Sequence, residues 1–170
     1  MARLLKFKVG NKRPKRPASI IIVSGKDKKE QRTSVGRKLS KRYGFVYVSA
    51  RELLNDQIAK NTEVGRLALN NVRNHTPIED TIMNGLIQSR LTQVDCQMQG
   101  FVLEGYPKSK GQVVALKDIY LKPTLIVMLG GSDPSSDVNK ELNDKYQSVI
   151  LGTGAHLGDE QVFEKVCFQL

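Results

Sequence analysis

The sequence predicts an α/β domain, a parallel sheet flanked by helices, and three observations carry that prediction. Ser19–Ser24 (SIIIVS) is a β-branched run that stops at Gly25, the pattern of a buried strand opening into a loop. Gly100–Glu104 (GFVLE) and Thr124–Leu129 (TLIVML) are further strand-length apolar runs. Between these runs lie stretches with helical spacing, and strands that alternate with helices imply a parallel sheet covered on both faces.

The elements follow in order. Gln31–Arg42 places Val35 and Leu39 four apart among charges, which predicts an amphipathic helix ended by Tyr43-Gly44. Phe45–Val48 is a short second strand. Ser49 caps a helix over Ala50–Lys60, with Leu53, Leu54 and Ile58 on one face. Helices over Glu63–Asn74 and Ile78–Leu91 come next, the latter entered through Thr76-Pro77. After the Gly100–Glu104 strand come a helix over Lys110–Tyr120 and the Thr124–Leu129 strand. A Gly/Ser/Asp loop over 130–136 then leads to a helix at Asp137–Lys145, a strand at Ser148–Leu151 and a last helix at Asp159–Phe168. There is no internal repeat and no low-complexity stretch.

The chain has 170 residues, 39% of them hydrophobic, enough for one cored domain over residues 19–170. No apolar run approaches the roughly 20 residues of a membrane span. Cys96 and Cys167 form no CxxC or His/Cys pattern, so reduced thiols are expected, with no disulfide and no metal site. His75 and His156 have no ligand-spaced companions and read as loop or surface residues.

The net charge is +10, and its placement matters more than its size. Residues 1–44 hold fifteen Lys and Arg against Asp27 and Glu30, a local +13, whereas residues 45–170 sum to −3. A basic block of this kind seeks a polyanion. Residues 1–18 lack acids, carry Pro14 and Pro17, and read as an extended basic arm. The arm is expected to be retained, not cleaved as a presequence, and to dock through Lys12, Arg13, Lys15 and Arg16.

Tyr43-Gly-Phe-Val-Tyr-Val-Ser-Ala-Arg-Glu-Leu-Leu54 resembles the adenylate-kinase segment YGFxHLSTGDLL. Glu63-Val-Gly65 followed by Thr76–Ile82 resembles that family's SxxG and VPDxxV. Gly100-Phe-Val-Leu-Glu-Gly-Tyr-Pro107 is similar to its GF(I/L)(L/I)DG(F/Y)PR motif. The likeness runs from about Ile20 to Met128 and implies a P-loop kinase-like parallel sheet. The wording around Cys96 looks most like the adenylate-kinase-like domains of ciliary axoneme proteins.

The resemblance also implies a nucleotide site. A P-loop needs small residues for close phosphate approach, a Lys on the phosphates and a Ser/Thr on magnesium. Gly25 fills the first glycine of GxxxxGK[ST]. Counting back from Tyr43-Gly44, Gln31 stands for the second glycine and Arg32 for the lysine, with Ser34 close by. Asp27 and Glu30 set carboxylates where an anion belongs, although Lys26, Lys28 and Lys29 keep the loop cationic. On the monophosphate side Ser49 matches the family, and so does Gln112, five residues after Pro107 at the adenine-reading position. Lys108 and Asn55 replace the phosphate-holding arginines, Ala50 and Arg51 replace a small Thr-Gly pair, and Glu104 stands for the acid near magnesium.

The family's arginine-bearing lid also has no counterpart, because Arg90 is the last arginine in the chain and the nineteen positions 130–148 hold none. The expectation is therefore a degenerate fold with the lid lost, no catalytic residues, no cofactor and no enzymatic activity. It would serve as a structural subunit or adaptor in a large assembly. The ciliary axoneme leads, with acidic tubulin as partner. A mitochondrial ribosome in the matrix, with RNA on the arm, is the alternative. A nucleotide sensor that binds AMP or ADP, and an active nucleoside-monophosphate kinase, complete the expected alternatives.

Overall fold

A computed structural model describes residues 17–24, 28–119, 121–130 and 135–170, and of residues 23 and 24 only the backbone. The basic residues Lys12, Arg13, Lys15 and Arg16, as well as Gly25 and Asp27, lie outside the described residues.

The strands are β1 (Ser19–Ser24), β2 (Val46–Ser49), β3 (Phe101–Glu104), β4 (Leu125–Leu129) and β5 (Ile150–Gly152). They form one parallel sheet in the order β2-β3-β1-β4-β5. The helices are α1 (Lys29–Tyr43), α2 (Ala50–Ala59), α3 (Glu63–Arg73), α4 (Asp80–Leu91), α5 (Val94–Gln99), α6 (Lys110–Asp118), α7 (Asp137–Tyr146) and α8 (Asp159–Gln169). The predicted α/β architecture is thus the observed one. A 3-10 turn at Gln147–Val149 takes the place of the expected start of the last strand, because β5 begins only at Ile150.

Alternation along each strand sorts the core into two layers. Ile20 and Ile22 of β1 face α1 and α8, packing with Val35, Leu39, Val162 and Val166. Ile21 faces the opposite way, into a layer with Met83, Ile87, Leu103, Leu116, Ile126 and Leu142 from α4, α6, α7 and their strands. All of these but Met83 are fully shielded from solvent, and each such aliphatic side chain contributes about 1.5–3 kcal/mol on burial.

The helices begin where the sequence offers caps. Ser49, Thr62, Ser109 and Ser136 each accept a backbone N–H of the first turn of α2, α3, α6 and α7. The hairpin of α2 and α3 closes tightly at Gly65, where a Cβ would lie 2.0 Å from the Gln57 carbonyl oxygen. Only glycine fits that approach.

One helix escaped the sequence. Residues 94–99 form α5, whose Val94 and Met98 are exposed and whose Cys96 alone is buried, so no apolar stripe announces it. Cys96 and Cys167 are both free and buried, and burial pushes both thiols up.

Candidate functional site

Register brings the site together. Glu104 ends β3 and lies opposite Ile22 of β1 on one side and Ser49 of β2 on the other. The carboxyl ends of these strands therefore share one edge, where α/β sheets place ligands. Helix α1 starts at the same edge, after β1.

Glu104 is the hub. Its carboxylate accepts from the Arg32 guanidinium Nε, from Ser49 Oγ at 2.9 Å and from Tyr47 Oη at 3.1 Å. Arg32 and Glu104 are 7% and 5% exposed, so this is a buried ion pair. Burial alone would raise the Glu104 pKa, but the Arg32, Ser49 and Tyr47 donors outweigh it and hold the carboxyl below the usual range. The Tyr47 phenol is pushed up to about 12, first by burial and then by the Glu104 charge.

Gly105 follows with φ +79°, and a Cβ there would sit 3.9 Å from Arg32 Nη2. The backbone turns beneath the guanidinium in a conformation that favours glycine. Lys108 stands beyond it, on the exposed rim. Its ammonium pKa is lowered, first by partial desolvation and then by the positive charges of Arg32, Arg51 and Lys29. Three further cations therefore act on the Lys108 ammonium, with the Glu104 carboxylate opposing them. Such a surplus of positive charge at strand ends suits a phosphate.

The Glu104 carboxylate already takes three donors, so it does not fit a metal-ligand role in this arrangement. Among the described residues no three His, Cys, Asp or Glu side chains gather into a metal site.

Gln112 is 5% exposed, and its carboxamide makes two polar contacts. Its Oε1 accepts from the Lys108 backbone N–H at 2.7 Å, and its Nε2 donates to Asp80 Oδ1 at 2.8 Å. Ser109 Oγ donates to the other Asp80 oxygen at 2.7 Å. Asn84 accepts from buried Tyr106 Oη at 2.6 Å, a further tie between α4 and this turn.

Of the expected positions, Arg32, Ser49, Glu104 and Lys108 are brought together, Gln112 stands behind Lys108, and Ser34 is half-buried within α1. Gln31 donates to the Leu157 carbonyl at 2.7 Å and Lys28 to the Ala155 carbonyl at 2.9 Å. These two side chains fasten the loop before α8 to the start of α1. Gln31, expected at the second glycine's position, thus serves as a tether.

Sequence reasoning missed Tyr47 and Asp80. Arg51 was visible only as a bulky replacement in the Thr-Gly pair, and its charge gains meaning once β2 and β3 are neighbours.

Comparison with known proteins places this geometry. A probable chloroplastic adenylate kinase 2 from Oryza sativa subsp. japonica is 33% identical over 95 residues, 56% of this chain and 33% of the relative. An adenylate kinase from Bartonella tribocorum is 36% identical over 81 residues, 48% of this chain and 42% of the relative. Across 133 residues, 78% of this chain and 51% of the relative, an Archaeoglobus fulgidus adenylate kinase is 26% identical. Over these stretches the chain is similar to adenylate kinases. No protein-family model matches it. The chain spans between a third and about half the length of these relatives.

These relatives correct the expectation of a chain without enzymatic activity. They bear the name of an enzyme, and nothing in the described geometry shows the site to have degenerated. The physical reason is that sequence counting scored each replaced residue alone. Folded, Arg32 is a buried cation at the position expected for the lysine, and it acts with Arg51 and Lys29 on Lys108.

Proposed function

We propose that this cationic edge binds the phosphate groups of a nucleotide and serves phosphoryl transfer of the kind for which the adenylate-kinase relatives are named. The observation that carries the reading is that the charges of Arg32, Arg51 and Lys29 all bear on the exposed Lys108, opposed by the Glu104 carboxylate that pairs with Arg32. Phosphoryl transfer asks a protein mainly for positioning and for positive charge around the migrating group. Glu104 fixes the Arg32 guanidinium at the centre of the edge, and Tyr47 and Ser49 in turn fix Glu104. Lys29, Arg51 and Lys108 stay accessible to an incoming anion. Calorimetry with AMP, ADP and ATP tests the reading, together with a coupled assay for ADP formed from ATP and AMP. The expected result is binding that the Arg51→Ala/Lys108→Ala variant loses, with turnover in the parent chain. Equal binding by parent and variant, or none by either, overturns it.

The charge of +13 over residues 1–44 favours a second, compatible reading. Residues 1–18 attach the domain to an acidic surface in a large assembly, with axonemal tubulin as the leading partner and ribosomal RNA of the mitochondrial matrix as the alternative. Salt-sensitive co-sedimentation with microtubules, lost when Lys12, Arg13, Lys15 and Arg16 become Ala, supports the first partner. Binding to RNA alone shifts the reading to the second.

A further inference from the structure

We propose that the amino-terminal edge of the sheet is a docking surface for an acidic protein, with Phe168 as its anchor and Lys41 and Arg42 on its rim. The proposal rests on the reading of residues 1–18 as an attachment arm. Three pieces of chain meet at this edge. Ala18, just before β1, shares one apolar cluster with Tyr43 and Phe45 at the end of α1 and with Cys167 and Leu170 at the end of α8. The Arg42 charge bears on the Cys167 thiol, which sets the last turn of α1 beside the last turn of α8. Phe168 leaves this cluster for solvent, and at 83% it is the most exposed large hydrophobic side chain among the described residues. Lys41, Arg42 and Lys165 are exposed on the same two helix ends. The arm is joined here too. Lys12, Arg13, Lys15 and Arg16 lie within five residues of Pro17, so chain length alone keeps them within about 18 Å of this edge.

An aromatic side chain rimmed by charge is how protein interfaces concentrate binding energy. The ring gains by leaving water for an apolar pocket, and the surrounding charges guide the approach. The signs along α8 favour a protein over a polyanion of uniform charge. Glu164 stands one turn before Phe168, and Glu160, which meets Lys38, stands one turn before that. A phosphate backbone or an anionic membrane would present like charge to these carboxylates. A protein that is acidic overall can set a cation against Glu164 and its carboxylates against Lys41, Arg42 and the arm. The phosphate site lies at the opposite, carboxyl edge of the same strands, so a chain docked in this way keeps Arg51 and Lys108 open to ligand.

Co-sedimentation of the full chain with microtubules, at low and at physiological ionic strength, tests this. Phe168→Ala is expected to weaken binding about tenfold at both, the effect of losing an interface anchor. It removes a ring that stands in solvent and is expected to keep the parent's urea midpoint. Lys41→Ala/Arg42→Ala is expected to weaken binding at low salt and to matter less as salt is raised. A Phe168→Ala variant that binds as tightly as the parent overturns the anchor. The arm reading then still stands where replacing Lys12, Arg13, Lys15 and Arg16 by Ala abolishes binding. Binding to single-stranded RNA or to phosphatidylserine vesicles, but not to microtubules, overturns the acidic-protein partner. Binding to none of the three removes the arm reading itself, and this surface with it.

Discussion

Helix α1 sends Arg32 inward and Arg37 and Lys38 outward, and each of the three meets a carboxylate. Arg32 pairs with Glu104 where both side chains are below 10% exposed, whereas Arg37 pairs with Glu52 at 2.7 Å with both more than half exposed. Lys38 meets Glu160 at 2.6 Å, also in solvent. The same two chemical groups therefore stand in two dielectrics. Inside, an ion pair is a commitment, because each partner left alone is a desolvated charge. Outside, water takes over whichever partner is lost, and the pair adds little.

The largest effect expected from this contrast is at Glu104. Replacement by Ala strands the buried Arg32 guanidinium and is expected to destabilise the fold by about 3–5 kcal/mol in urea unfolding. A loss below about 1 kcal/mol would place this pair with the exposed ones and break the comparison. Glu104→Gln keeps the shape and isolates the charge. The folded carboxyl titrates below its ordinary value of 4.5, so its stabilisation is complete above that pH and disappears as pH falls through the folded value. The difference in unfolding free energy between parent and Glu104→Gln is thus expected to be flat from neutral pH down to 4.5 and to shrink below it. A difference that stays constant into strong acid would mean that the charge of Glu104 does not carry the pair.

Gly65 ranks next. It tests whether the α2–α3 hairpin is as unforgiving as the buried pair, this time through sterics. Ala at this position meets the Gln57 carbonyl, and overpacking of this kind typically destabilises by about 1–3 kcal/mol. Hydrogen exchange is expected to show the loss concentrated in residues 50–73, with the sheet protected as before. Loss of protection across the strands would show instead that the hairpin and the sheet unfold as one unit.

These two regions also differ in how much of them the sequence disclosed. The strands and helix α1 were legible because alternation and the spacing of Val35 and Leu39 are local patterns. Arg32 falls on that same inward stripe, three residues before Val35, so its burial was readable too. Its partner was not, since Glu104 lies 72 residues away and reaches Arg32 only because β3 pairs with β1. Gln112 was legible as a position, but its partner was not. Asp80, 32 residues earlier, accepts from its carboxamide nitrogen. The charge surplus around Lys108 was hidden for the same reason, because Lys29 comes from α1, Arg51 from α2 and Lys108 from the turn before α6.

The smallest expected effect sharpens the outer half of the comparison. In a double-mutant cycle, Arg37→Ala and Glu52→Ala are expected to show a coupling of about 0.2–1 kcal/mol, falling as salt is raised. Arg37 also lies 4.5 Å over the Tyr47 ring, a contact expected to add about 0.5–1 kcal/mol that salt screens less than an exposed ion pair. Glu52→Ala alone should therefore change stability little, because Arg37 keeps its place on the ring. Tyr47→Leu should uncover a larger effect, since it removes both the ring under Arg37 and the phenol that donates to Glu104. Tyr47→Phe separates the two, keeping the ring and deleting only the donor. If Tyr47→Phe alone accounts for the whole Tyr47→Leu loss, the outer face contributes through Glu104 and not through its own cation, and the two faces of α1 are coupled through one tyrosine.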